Sequence, residues 1–226
     1  MKTPAARIAL IHATALAVEP IAGAFSRHWP QARRMNLLDD SLSVDLAEAG
    51  SLDPALVRRF VDLARYARRA GCDGILFTCS AFGPAIEAAA AAVDVPTFKP
   101  NEAMFDEALA LCRPAGGTLG LIATFEPSLA PMAQELMDKA GQRGARVELR
   151  TACAPEAMQD LAEGRAAQHH QQIALAARQL RDCDVVMLAQ FSMAAAVPAV
   201  QAELSCPVLS SPDCAVLALR KRIAYA

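Results

Sequence analysis

The chain has 226 residues, a hydrophobic content of 54%, and 22 Lys and Arg against 24 Asp and Glu, a net charge of −2. That is enough apolar material to bury a core in one large domain or two small ones, and the interspersed charge supplies neither a basic field for nucleic acid nor a polybasic arm for a membrane. No uninterrupted apolar run reaches the roughly 18 residues that a spanning helix needs.

In chain order, "MKTPAARIALIHATALAVEPIAGAF" resembles a secretory leader, with basic residues before an apolar run and "AGA" as a cleavable tail. "RIALIHA" at 7–13 nevertheless reads as a first strand, and "LVRRFVDLARYARRAG" at 56–71 as a helix closed by Gly71. "GILFT" at 74–78 is the next strand. "AGGTLG" at 115–120 precedes the strand "TLGLIAT" at 118–124 and is therefore a turn, because a dinucleotide fingerprint follows a strand and opens a helix. "PMAQELMDKAG" at 131–141 reads as a helix closed by Gly141, and "RVELRTA" at 146–152, "DVVMLAQ" at 184–190 and "CPVLSS" at 206–211 as strands. The arginine pairs at 33–34, 58–59 and 68–69 read as solvated faces.

Strands alternating with helices imply βαβ units and a mostly parallel sheet. When the chain is laid against itself so that Ala9 meets Gly120, "ALIHAT" falls on "GLIATF". The same shift brings "CDGILFTCSAFGP" at 72 onto "CDVVMLAQFSMAA" at 183 and Pro96 onto Pro207, with no gap expected between them. A period this long, close to half the chain, is a duplicated half and not a solenoid repeat. The fold class is therefore α/β, two pseudo-symmetric Rossmann-like (flavodoxin-like) parallel-sheet lobes. Residues 1–98 with 211–226 form the first and 99–210 the second, with the site expected at their interface, where the strand carboxyl ends meet. The repeat also assigns residues 7–13 to a sheet and argues against their removal as a leader.

Seven cysteines (72, 79, 112, 153, 183, 206 and 214) are an odd number with no C-x-x-C, which indicates neither a disulfide framework nor a zinc ribbon and fits a cytoplasmic location. His169 and His170 point about 100° apart on a helix and cannot chelate one ion, so they read as polar helix surface; no metal is expected.

The segment "LFTCSAFGPAIE" at 76–87, together with "LIATFEPSL" and "LAQFSMAAA", resembles the aspartate/glutamate racemase superfamily, with its hydantoin racemases, maleate isomerases and arylmalonate decarboxylases. The resemblance spans nearly the whole chain. It implies an enzyme acting at the carbon next to a carboxylate, needing no metal, pyridoxal phosphate or nucleotide, on a small carboxylate-containing substrate; homodimerisation is compatible with it. In similar proteins each half contributes one thiol, and the two flank the α-carbon. Cys79 matches the first, whereas Gln190, its counterpart in the repeat, stands at the second. An amide has no usable acid–base chemistry near neutrality. Cys183 and Cys206 precede their strands and lie at the wrong end to replace it.

Cys79 follows a strand and precedes a helix, a position expected to favour a thiolate and to bind an anion. Thr78 and Ser80 are the nearest donors for a substrate carboxylate or for an enediolate-like charge. Thr124 matches a hydroxyl that binds the carboxylate in similar proteins, and Ser128 reads as a helix cap. Gln190 and Ser192 are candidate ligand contacts. Phe191, with Ala81, Phe82 and Phe125, suggests an apolar lining. His12 is the candidate second proton donor, or a stabiliser of the Cys79 thiolate. Ser210 and Ser211 end the last strand as possible contacts, and Asn101 and Glu102 read as helix caps. The resemblance puts proton transfer of the racemase or isomerase type first, with Cys79 as acid/base or nucleophile, and decarboxylation of a 2-substituted malonate-type acid second; racemisation and cis–trans isomerisation both remain open within the first. A carboxylate-binding protein without turnover is the alternative of another class.

Overall fold

The computed structural model describes residues 5–113 and 116–224. In chain order these form β1 (Arg7–His12), α1 (Val18–His28), β2 (Arg33–Leu38), α2 (Ser41–Ala49), α3 (Pro54–Arg69), β3 (Gly74–Phe77), α4 (Gly83–Ala91), β4 (Thr97–Phe98), α5 (Glu102–Leu111), β5 (Gly117–Ala123), α6 (Leu129–Gln142), β6 (Val147–Cys153), α7 (Pro155–Ala162), α8 (Ala166–Ala177), β7 (Val185–Leu188), α9 (Val197–Gln201), β8 (Val208–Ser210) and α10 (Ser211–Ala224), with short 3-10 turns between several of them. They fall into two compact units, one comprising residues up to Ala103 with those from Ala215 onward, the other Met104–Cys214.

The first unit carries a four-stranded sheet in the order β2-β1-β3-β4 and the second a four-stranded sheet in the order β6-β5-β7-β8; every pairing is parallel. The expected α/β fold of two similar lobes is thus the observed one. Central strands covered on both faces explain the continuous apolar runs: all four residues of β3 and all four of β7 are buried.

The repeat extends to individual hydrogen bonds. Asp73 accepts the Arg7 backbone N–H at 2.7 Å, and its counterpart Asp184 accepts that of Thr118, the counterpart of Arg7, at 2.9 Å. The register of β1 on β3 (Ile8 opposite Gly74) recurs as that of β5 on β7 (Leu119 opposite Val185). The gap-free correspondence does not hold throughout, however. β1 pairs Arg7 with Arg33, whereas β5 pairs Thr118 with Glu148, where the uniform shift would put Gly144. A short insertion therefore precedes β6. It is compensated before β7, since Gly74 and Val185, at the starts of β3 and β7, are back in the original register.

Helix α3 shows how sequence becomes structure. Asp53 accepts the Leu56 N–H at 2.7 Å as the N-cap, Pro54 takes the first turn, and Leu56, Phe60, Ala64 and Ala67 form the buried stripe. Gly71, with φ of 76°, supplies the left-handed residue after it. The expected stop at Gly141 is corrected: α6 runs on to Gln142, and Gly144, with φ of 64°, takes the left-handed conformation instead. The core of the first unit centres on Phe60, whose ring lies 5.4 Å from that of Phe77 and 4.7 Å from that of Phe82.

Two short strands, β2 and β4, escape apolar periodicity. The turn expected at 115–120 begins at Ala115, which lies outside the described residues; Gly116 has φ of 117° and β5 starts at Gly117. Of the leader-like segment, residues 1–4 lie outside the described residues, while 7–12 are β1, a central strand. No helix among the described residues is long and apolar enough to cross a membrane.

Candidate functional site

In a sheet ordered 2-1-3-4 the chain leaves the first and third strands in opposite directions, and ligands of open α/β folds gather at the carboxyl ends of those two strands. In the first unit these ends carry His12 and the Thr78–Cys79–Ser80 turn; in the second they carry Thr124 and the Gln190 turn.

Cys79 is half-buried and begins a three-residue 3-10 turn, Ser80–Phe82, which runs into α4. Burial pushes its thiol above the ordinary value of 9.0, opposed in part by the nearby Ala81 backbone N–H. The expected thiolate is corrected to a protonated thiol. The helix α4 starts only at Gly83, beyond that turn, so its free N–H groups are not at the sulfur. Ser80 and Ala81 are not buried, whereas Phe82 is fully buried against Phe60 and does not belong to an apolar lining.

His12 is fully buried. Its Nδ1 lies 2.9 Å from Thr78 Oγ1 and its Nε2 3.1 Å from Asn36 Oδ1. Asn36 Oδ1 only accepts, so Nε2 carries the proton. Burial lowers the ring's pKa below the ordinary 6.5, against a smaller opposing effect of the Asn36 bond. Burial thus favours the neutral ring, in which Nδ1 accepts from the Thr78 hydroxyl, whose oxygen also lies 3.3 Å from the Ile11 carbonyl. His12 and Thr78 are brought together, but as each other's partners inside the fold. Asn36 lies on β2 and carries no signal in the sequence.

In the second unit Gln190 Oε1 accepts the Thr124 N–H at 3.0 Å and lies 3.4 Å from the Thr124 hydroxyl; its Nε2 donates to Ser128 Oγ at 2.8 Å. Ser128 in turn donates to the Phe125 carbonyl at 2.7 Å and makes no side-chain cap bond to α6, so its expected capping role is corrected. Thr124 is 3% exposed, Phe191 is buried at 6%, Ser192 is half-buried, and Phe125 is exposed. Ser210 is a helix cap: its hydroxyl donates to Asp213 Oδ2 at 2.5 Å and accepts the Asp213 N–H at 3.4 Å. Ser211 is buried with its hydroxyl 3.4 Å from the Met104 sulfur.

All seven cysteines are free, and burial raises each of the others whose shift is resolved, Cys183 to about 11 and Cys214 to about 12. No group of three or more His, Cys, Asp and Glu among the described residues is arranged to hold a metal ion. His169 is not the surface residue expected; it is fully buried, with Nδ1 donating to the Ala157 carbonyl at 2.7 Å.

An open parallel α/β fold with polar groups at paired strand ends defines the class. The family model described as Asp/Glu/Hydantoin racemase matches residues 10–152, a span that includes Cys79 and Thr124. The chain belongs to that family, which at its broadest level comprises racemase- and isomerase-type enzymes of small carboxylates. Solved structures with a similar fold include the allantoin racemase from Klebsiella pneumoniae (18% identity, TM-score 0.69, 98% of this chain and 89% of that one). The Picrophilus torridus aspartate racemase is comparable (14%, 0.70, 97% and 94%), as is unliganded arylmalonate decarboxylase (16%, 0.62, 96% and 92%). No curated protein matches the sequence.

Proposed function

We propose that the chain is a cofactor-independent enzyme that transfers a proton at the carbon next to the carboxylate of a small organic acid, with Cys79 as the acid. The observation that carries this is the Cys79 thiol itself: half-buried just beyond the end of β3 and held protonated by burial, it is set to give a proton. Thr124, with a backbone N–H and a hydroxyl directed at one acceptor, is the proposed carboxylate ligand.

Racemisation needs a second proton shuttle on the opposite face. Gln190 cannot ionise, and both nitrogens of His12 are engaged inside the fold. These two facts favour one-sided delivery, as in decarboxylation of a 2-substituted malonate-type acid. There the bond to the departing carboxylate breaks, carbon dioxide leaves, and the electron pair passes to an enediolate. The Cys79 S–H bond then supplies the proton to carbon, and the thiolate recovers one from water. Racemisation or isomerisation, the commoner description of the family, is the second reading.

The test is a screen of amino acids, hydantoins and 2-substituted malonates in deuterated water. The expected result is deuterium at the α-carbon without inversion, lost in Cys79→Ser while ligand binding persists. Absence of turnover on every class would leave a carboxylate-binding protein instead, and an equally active Cys79→Ser would overturn Cys79 as the acid.

A further inference from the structure

In the second unit the amide oxygen of Gln190 does toward Thr124 what a carboxylate oxygen would do. It takes the Thr124 N–H at 3.0 Å and sits 3.4 Å from the Thr124 hydroxyl. The amide nitrogen reaches Ser128 Oγ at 2.8 Å. The orientation of the amide is fixed by its partners, since the Thr124 N–H needs an acceptor and the Ser128 hydroxyl has already given its proton to the Phe125 carbonyl.

Thr124 is 3% exposed, so without Gln190 its donors would be left short of a partner. The occupied arrangement exists in this unit alone. The repeat counterparts of Thr124 and Gln190 are Ala13, which has no hydroxyl, and Cys79, which has no acceptor oxygen.

We propose that Gln190 is an internal ligand occupying the donors of Thr124 and anchored through its nitrogen on the Ser128 hydroxyl oxygen, and that a substrate carboxylate binds by displacing it. This rests on the carboxylate-directed reading above. A carboxylate oxygen is a stronger acceptor than an amide oxygen, because charge-assisted hydrogen bonds are roughly twice as strong as neutral ones. Gln190 is only half-buried, so the displaced amide has solvent to turn into. The Ser128 hydroxyl, no longer accepting from the Gln190 nitrogen, then reaches the ligand by turning its proton away from the Phe125 carbonyl. Gln190 thereby sets the threshold of binding: carboxylates pass it, whereas neutral amides of the same shape gain nothing over the side chain already present.

The test is titration of the whole protein with phenylacetate and with phenylacetamide, followed by the chemical shift of the Thr124 amide. Phenylacetate is expected to move that resonance and phenylacetamide to leave it. Gln190→Ala is expected to tighten phenylacetate binding about tenfold, by removing the competitor's hydrogen bonds, and Gln190→Glu to weaken it at pH 7 by seating a carboxylate of its own. Melting curves establish that each variant is folded; if Gln190→Ala is not, Gln190→Met keeps the side-chain length without the hydrogen bonds and is expected to show the same tightening. Equal or weaker binding in a folded Ala or Met variant overturns the proposal, as does an unmoved Thr124 amide. Tightened binding without deuterium exchange on any acid would uphold it while removing the proposed catalysis; exchange with unchanged binding would do the reverse.

Discussion

His12 and Thr78 share a buried hydrogen bond of 2.9 Å, made one residue before Cys79. It ties the end of β1 to the turn that carries the thiol.

The first prediction is a pH dependence of stability. Burial keeps the His12 pKa below its ordinary 6.5, so the unfolded chain takes up a proton before the folded one does. The stability this confers is complete above pH 6.5 and is lost as pH falls through the lower folded value. The melting temperature should drop over that window, and in His12→Gln this part of the drop should be absent. An identical slope in both proteins would refute it.

Cys79 should behave as a slow thiol. Site-resolved alkylation with iodoacetamide is expected to reach half its limiting rate above pH 9.0, with Cys214, pushed up to about 12, slower still. Cys79→Ser should lower turnover at least about 100-fold with little change in ligand affinity. Half-maximal alkylation near pH 7 would reveal a thiolate instead.

Phe82→Ala should cost about 3–5 kcal/mol, as expected for removing a fully buried ring packed against Phe60. Urea denaturation measures it. A loss below about 1 kcal/mol would mean that the ring is not part of the core.

Asp184 is held below its ordinary 3.8, first by the Thr118 backbone N–H and then by Arg113. Its contribution is present above pH 3.8 and lost as pH falls through the lower folded value. Asp184→Ala should reduce the urea midpoint at pH 7 and narrow its difference from the wild type in stronger acid. A constant difference would exclude the titration.

Much of this architecture is legible in residue order, and what is not has physical causes. β2 has the sequence Arg-Arg-Met-Asn-Leu-Leu, an edge strand that opens on two exposed arginines. Charge is how sheet edges resist pairing with other chains, and the same charge hides the strand from a search for apolar runs. β4 is too short to show a period, yet its counterpart β8 is legible, and the shift that superposes the halves carries Thr97 onto Val208. The repeat therefore holds information that strand periodicity lacks.

At the candidate site, strand ends locate Cys79, Thr124 and Gln190. The partnership of Gln190 with Ser128 joins side chains far apart in the chain, which no local pattern encodes. The burial of His169 was legible: His169, Ile173, Ala176, Ala177 and Leu180 are all buried and recur at helical spacing.

Helix α10 begins in the second unit and ends in the first, where Leu219 and Ile223 lie so close to Gly74 that a Cβ there would meet Ile223 Cδ1 at 2.8 Å and Leu219 Cδ1 at 3.1 Å. The first unit thus acquires the last of its packing only after every residue of the second has been synthesised.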